Sequence, residues 1–318
     1  MTLLLRDREV RSLAMFPEAV EVVASGVVSA AQSAATERSI VRFRSGWLRI
    51  MSGTLPEYDV FGFKAFHLVP GEGVRYLIAL YRLKDGEPLA LIDGNYVTIA
   101  RTSAAAAAAA ARYFGDEPFR LGIVGTGTLA RDGLRALASV CRIESARVYS
   151  RSAGNRERYA SELAGQVGIE IKPADAVAAA TAGADMVLCA TQTDGTVAVE
   201  AADVRAARYI SSVSSTLPGQ RELDGHAIAS AGLVVIDTPD ALRESGDLLA
   251  AADAGLSEER VMLLSVFLSE AAAPAAPPIV YKSIGSVEQD LALAHALWKA
   301  AEQRAVGQHV DPVEMLRV

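Results

Sequence analysis

Leu121-Gly122-Ile123-Val124-Gly125-Thr126-Gly127-Thr128-Leu129-Ala130 is the stretch whose reading decides the fold. Leu121 to Val124 reads as a short buried strand, and Gly125, Gly127 and Ala130 supply the G-x-G-x-x-A spacing behind it. The first glycine permits a tight turn, the second lets a pyrophosphate approach the backbone, and the small third residue lets the next helix pack on the strand. That helix would offer free N–H groups and a partial positive charge to the phosphates. Thr126, Thr128 and Leu129 complete the expected contacts. The bland alternative is a strand-to-helix turn with no ligand. The continuing strand–helix alternation downstream favours the nucleotide.

Downstream, strand-like segments fall at 120–124, 147–149, 168–171, 186–190, 209–213 and 233–236, with helix-like segments between them. Short apolar strands alternating with helices argue for a parallel sheet covered on both faces. The expected class is α/β, a Rossmann doubly wound sheet. About twenty residues past the glycine loop a dinucleotide fold commonly places an acidic residue for the ribose hydroxyls. Here the chain reads Val148-Tyr149-Ser150-Arg151-Ser152. Hydroxyls and a guanidinium suit a 2′-phosphate, with Arg156 adding charge, so NADP(H) is expected ahead of NAD(H). The alternative is a solvated loop. Thr191 and Val213, at the ends of later strand-like segments, join the expected cofactor-binding set.

Upstream, residues 17–37 have helical spacing, with Val20, Val23, Val27 and Ala31 in phase. Strand-like runs follow at 40–44, 47–51, 61–69, 76–83 and 89–92. Asp85-Gly86 and Asp93-Gly94 are hairpin signals, so an antiparallel sheet is expected. Residues 102–114 read as an alanine-rich helix capped by Thr102 or Ser103. Gly115-Asp116-Glu117-Pro118 breaks the chain. An Ala/Pro-rich linker at 271–278, a strand at 279–283 and an amphipathic helix over about 287–306 close it, the helix returning to the first domain. The expected division is therefore 1–116 with 280–318 as an α+β domain, and 117–279 as the Rossmann domain.

Composition sets outer limits. A chain of 318 residues suits two domains. A formal net charge of -7 without a basic run argues against a nucleic-acid partner. Cys141 and Cys189 form no CxxC pair, which fits a reducing compartment. His67, His226, His295 and His309 are scattered without metal-ligand spacing, so no metal is expected. Arg6, Asp7, Arg8 and Glu9 interrupt any signal-peptide core, and no apolar run reaches the ~18 residues of a membrane span. A cytoplasmic protein with no membrane partner is expected.

Six segments, in order along the chain, resemble the ornithine cyclodeaminase/mu-crystallin family. They are Gly62-Phe63-Lys64-Ala65; Leu89 to Gly94 leading into Arg101-Thr102-Ser103-Ala104; the glycine loop; Leu217-Pro218-Gly219-Gln220-Arg221-Glu222-Leu223-Asp224; Glu244-Ser245-Gly246-Asp247; and Ser283-Ile284-Gly285 with Asp290 beyond. The resemblance implies a homodimer whose first domain binds substrate and mediates dimerisation. It implies that Arg42, Lys64 and Arg101 line the substrate site, with Arg44 on the same strand face as the alternative to Arg42. Independently, two arginines can hold an α-carboxylate, and a confined lysine can exchange protons with a substrate nitrogen. Arg101 just ahead of a helix would also gain from the dipole.

Two departures bear on the reaction. Thr216 stands where cyclodeaminases carry an Asp assigned to ammonia release and ring closure, and Arg49 stands nearest a Glu associated with the substrate amine. An Arg49 cation would repel an ammonium. The expected function is an NADP-dependent reductase or dehydrogenase of a small, cyclic imino or amino acid carrying a carboxylate, with Lys64 and Thr216 as the catalytic positions. Ornithine cyclodeamination with catalytic NAD is the second reading, and a non-enzymatic NADPH-binding protein the third.

Overall fold

The computed structural model describes residues 1–30, 38–193, 195–269 and 276–311. In chain order the first elements are β1 (Thr2–Leu5), α1 (Asp7–Leu13), α2 (Glu18–Ser29), β2 (Ser39–Phe43), β3 (Gly46–Leu55), β4 (Val60–Val69), β5 (Gly73–Arg82), β6 (Pro88–Asp93) and α3 (Gly94–Phe114). Then come β7 (Phe119–Val124), α4 (Thr128–Val140), β8 (Ile143–Tyr149), α5 (Ala153–Val167), β9 (Glu170–Ala174), α6 (Val177–Thr181), β10 (Met186–Cys189) and β11 (Tyr209–Ser212). The rest are α7 (Gly225–Ala229), β12 (Leu233–Ile236), α8 (Ala241–Glu244), α9 (Gly246–Asp253), β13 (Val261–Leu263), α10 (Leu264–Ser269), β14 (Ile279–Lys282), α11 (Val287–Arg304) and β15 (Gln308–Val310).

The chain divides into two compact units, Met1–Arg101 with Ser286–Val318, and Thr102–Gly285. The first break lies inside α3, ahead of the expected break at 116, and the second lies six residues after 279. β14 explains the latter. It hydrogen-bonds between β11 and β12 in the second unit's sheet, so residues 280–285 belong there.

The first unit holds a seven-stranded sheet in the order β15-β1-β6-β5-β4-β3-β2, antiparallel except where β1 pairs with β6. β1 was not foreseen, because four residues at the terminus carry too little pattern. One cross-strand row runs Met51, Lys64, Ile78, Ile92. The strand period of two puts that row on the face packed beneath α11, and Met51, Leu55, Val60, Ile78 and Leu80 are buried there. Asp93-Gly94 is not a hairpin. The Asp93 carboxylate accepts from the Asn95 N–H at 2.9 Å, and α3 starts at once. Thr102 and Ser103 are therefore buried mid-helix residues rather than caps. Ala104 to Ala110 are buried on every side, which suits alanine's small volume. Ala31 and residues 31–37 of the expected first helix, and 271–275 of the expected linker, lie outside the described residues.

The second unit holds eight strands, all parallel, in the order β13-β12-β14-β11-β10-β7-β8-β9. β10, β11, β12 and β14 are buried along their whole length, as strands covered on both faces must be. From β7 the chain steps outward to β8 and β9, then returns to place β10 on the other side of β7. That reversal makes the crevice at the C-terminal ends of β7 and β10 the place where a doubly wound sheet binds a ligand. No single helix among the described residues is long and apolar enough to cross a membrane. No group of three or more His, Cys, Asp or Glu among them could hold a metal ion.

Candidate active site

The glycine loop lies at that crevice. Gly125 has φ +118°, and a Cβ there would sit 2.2 Å from the Ala190 carbonyl oxygen, so only glycine fits. Its N–H donates to the Tyr149 carbonyl at 2.9 Å, tying the turn to β8. A Cβ on Gly127 would meet nothing within 4 Å. That open space is what a phosphate requires against the backbone. Gly127 caps the thirteen-residue α4 without any side-chain cap bond, and the first turn contains no acidic residue, so its N–H groups face the opening with the dipole's positive end. Ala130 is fully buried and its carbonyl accepts from the Tyr159 hydroxyl at 2.8 Å, which sets the close helix–strand packing. The loop fits a dinucleotide.

Behind β8, the Ser152 hydroxyl accepts from the Asn155 N–H at 3.3 Å and caps α5, while Arg156 donates to the Ser150 carbonyl at 3.0 Å. Ser152 and Arg156 thus hold the turn, and the exposed Arg151 is the side chain that reaches outward. Thr191 donates from both its N–H and its hydroxyl to Glu222 Oε1, at 2.5 and 3.0 Å. Val213 is buried, and its N–H extends the ladder to the Cys189 carbonyl at 3.2 Å. Thr216 is half-buried in a turn where its N–H donates to Gln220 Oε1 at 3.1 Å.

A buried ionic network lies beside these residues that no single motif announced. Lys282 Nζ is 2.8 Å from Asp247 Oδ2 and donates to Ser212 Oγ at 3.0 Å. Ser212 Oγ lies 2.9 Å from Glu222 Oε2, and Asp247 Oδ1 accepts from the N–H groups of Glu222 and Leu223 at 2.7 and 3.2 Å. Lys282, Asp247, Glu222 and Ser212 are all fully buried. Burial pushes the Glu222 carboxyl up, opposed chiefly by the Lys282 charge. Burial likewise pushes the Cys189 thiol well up, which makes it inert as a nucleophile. The available signal was that Glu222, Asp247 and Ser283, next to Lys282, each fall in segments that matched the family.

In the first unit, Lys64 is buried and both Asp290 carboxylate oxygens lie 3.0 Å from its Nζ. Arg101 Nε donates to Asp290 Oδ1 at 3.0 Å, and Arg101 Nη1 to Gln289 Oε1 at 3.0 Å. The Lys64 ammonium lies 5.3 Å from the ring centroids of both Phe66 and Tyr76. Burial pushes the Lys64 amine down to about 7; Asp290 opposes the shift, and the charges of Arg101 and Arg38 add to it. Burial pushes the Tyr76 phenol up.

Two expectations change. Arg101 is the eighth residue of α3, not a residue ahead of a helix, so no dipole assists it; Asp290 and Gln289 orient it instead. Arg42 is exposed and pairs with Trp47, and Arg44 follows it beyond the strand. The arginine near this strand whose charge acts on Lys64 is Arg38, the residue just before β2.

One unit is thus a Rossmann sheet with an intact pyrophosphate loop, and the other carries a buried lysine held by a carboxylate and surrounded by arginines; together they define a nicotinamide-dinucleotide enzyme. A model of the ornithine cyclodeaminase/mu-crystallin family matches residues 2–304, and the chain belongs to that family. It is 29% identical over 277 residues to a Delta(1)-pyrroline-2-carboxylate reductase of Bacillus cereus, covering 82% of this chain and 84% of that protein. It is 28% identical over 221 residues to the ketimine reductase mu-crystallin of Mus musculus, covering 70% and 68%. The structure of Thermococcus litoralis Delta(1)-pyrroline-2-carboxylate reductase in complex with NADH and L-proline superposes with a TM-score of 0.86 at 27% identity, over 97% of this chain and 100% of that one.

Proposed function

We propose that this protein is an NADP-dependent reductase of a small imino acid. The observation that carries the reading is the buried Lys64, held by Asp290 and pushed down to about 7, where an amine can exchange protons at neutral pH. Arg101 and Arg38 take the substrate carboxylate, which fixes the C=N carbon for attack. Bound NADPH supplies the hydride. Lys64 gives its proton to the substrate nitrogen as the C=N π bond breaks. The carbon gains a hydrogen, the product is the amino acid, and the neutral Lys64 is reprotonated from solvent. Thr216 offers a hydroxyl rather than a carboxylate, which counts against cyclodeamination, and its expected catalytic role has no support beyond its place in the turn.

The 2′-phosphate preference rests on Arg151 and on the absence of an acidic side chain from Tyr149 to Arg156. A homodimer is supported by the sheet face opposite Lys64. It exposes Val41, Phe43, Ile50 and Leu77 at 57, 45, 38 and 43%, where an antiparallel sheet facing water would be polar. Free Cys141 and Cys189 fit a cytoplasmic setting. The test is loss of nicotinamide absorbance with NADPH and cyclic ketimine carboxylates. Turnover cut by about 10²–10⁴-fold in Lys64→Ala supports the reading, and no turnover with any imine substrate rejects it.

A further inference from the structure

The Lys64 face of the sheet carries a second buried cation. Trp47, Arg49 and Met51 alternate along β3 on that face, and their β4 partners are Leu68, Phe66 and Lys64. Arg49 is only 6% exposed. Its guanidinium lies 5.5 Å from the Trp47 ring. Trp47 meets Phe66 edge-on at 5.6 Å, and Phe66 stacks on Tyr76 at 5.6 Å. The three rings form a continuous aromatic floor with a cation over each end: the Lys64 ammonium above Phe66 and Tyr76, the Arg49 guanidinium above Trp47. Arg49 and Lys64 are diagonal neighbours on adjacent strands, about 7–8 Å apart at the backbone. The cations whose charges act on Lys64, Arg101 and Arg38, are those that suit one carboxylate.

Resting on the imino acid reductase reading, we propose that Arg49 receives a second acidic group at the far end of the substrate, so that the preferred substrate is a 2-imino dicarboxylate. A guanidinium presents a planar fork of donors that matches a carboxylate with two parallel hydrogen bonds. The aromatic floor between the two cations would carry the methylenes that separate the two acids. A substrate ending in an ammonium would meet like charge at the same point.

The test compares kcat/KM for NADPH oxidation with oxaloacetate or 2-oxoglutarate plus ammonium against 2-oxobutanoate plus ammonium and Delta(1)-pyrroline-2-carboxylate. Wild type, Arg49→Met and Arg49→Lys are measured alongside equilibrium binding of succinate and butyrate to the NADPH-loaded protein. The expected result is a dicarboxylate preference of about tenfold or more in wild type, lost through KM in Arg49→Met and partly kept in Arg49→Lys. A wild-type preference for the monocarboxylates, unchanged in Arg49→Met, overturns the assignment and leaves the reductase reading standing. If no imine is turned over, the reductase reading fails and binding decides. Succinate tighter than butyrate in wild type alone upholds Arg49 as the acid receptor, and equal binding in both proteins removes it.

Discussion

Asp290 reaches Lys64 with both carboxylate oxygens, each 3.0 Å from Nζ, across 226 positions of sequence. The pair decides the protonation chemistry of the first unit. Burial drives the amine toward its neutral form, and Asp290 is the group that restrains it. Reduction consumes the protonated amine, so kcat/KM should fall as pH rises through about 7. Asp290→Asn removes the group that holds the amine's pKa up and should move that limb to lower pH. Lys64→Ala should cost about 10²–10⁴-fold in kcat and leave NADPH affinity unchanged. A pH–rate series on the three proteins checks this, and an unmoved limb in Asp290→Asn would place the acid elsewhere.

The same shift has a thermodynamic sign. Lys64 has a lower pKa folded than unfolded, so between about 7 and the ordinary lysine value of 10.5 the unfolded chain binds more protons. Stability contributed by this group therefore rises with pH across that window. Urea midpoints for wild type minus Lys64→Met, taken from pH 7 to 10, should show the rise. A difference that stays flat would mean that Lys64 keeps its proton in the fold.

The two glycines of the loop should separate folding from binding. Gly125→Ala places a Cβ 2.2 Å from a carbonyl oxygen at a φ of +118°, so it should lower the melting temperature and abolish cofactor binding together. Gly127→Ala meets no protein atom and should change stability by less than about 0.5 kcal/mol. Its methyl fills the phosphate cradle, and NADPH should bind about tenfold or more weakly. Calorimetry with a cofactor titration distinguishes the two.

That loop was legible because its information is local: the three small residues, the strand before them and the helix behind them lie within ten positions. Lys64 was legible through the segment Gly62 to Ala65. Its partners were not, since Asp290 and Gln289 come from a helix that returns after the whole second unit. Arg38 was passed over for a different reason. Arg38 and Arg42 fall on one face by the period of two, so alternation does not separate them, and Arg38 is the one whose charge acts on Lys64. The start of α3 was misplaced because Asp93-Gly94 serves equally as a hairpin turn and as a helix cap.

Cofactor choice should follow Arg151. It is exposed, and the neighbouring side chains Ser152 and Arg156 are engaged in holding the turn. Arg151→Ala removes one charge-assisted contact to the 2′-phosphate, for which about 1.5–3 kcal/mol, or roughly 10–100-fold in NADPH affinity, is expected. NADH, lacking that phosphate, should be unaffected. Binding titrations of both cofactors to both proteins give the answer, and an equal loss for NADH would reduce Arg151 to a general surface charge.

The buried network of the second unit makes the last prediction. Lys282 faces Asp247 at 2.8 Å with Glu222 joined through Ser212, and all are sealed from water. Lys282→Met fills a similar volume but strands Asp247 without its cation, and breaking such a pair costs about 3–5 kcal/mol. Lys282→Met combined with Asp247→Leu removes both ends and should recover part of that loss, although Asp247 also accepts from the Glu222 and Leu223 N–H groups, which would then lack a partner. Urea unfolding of the single and double variants measures the coupling. If the two losses simply add, the ion pair is a bystander and the backbone bonds to Asp247 hold these loops by themselves.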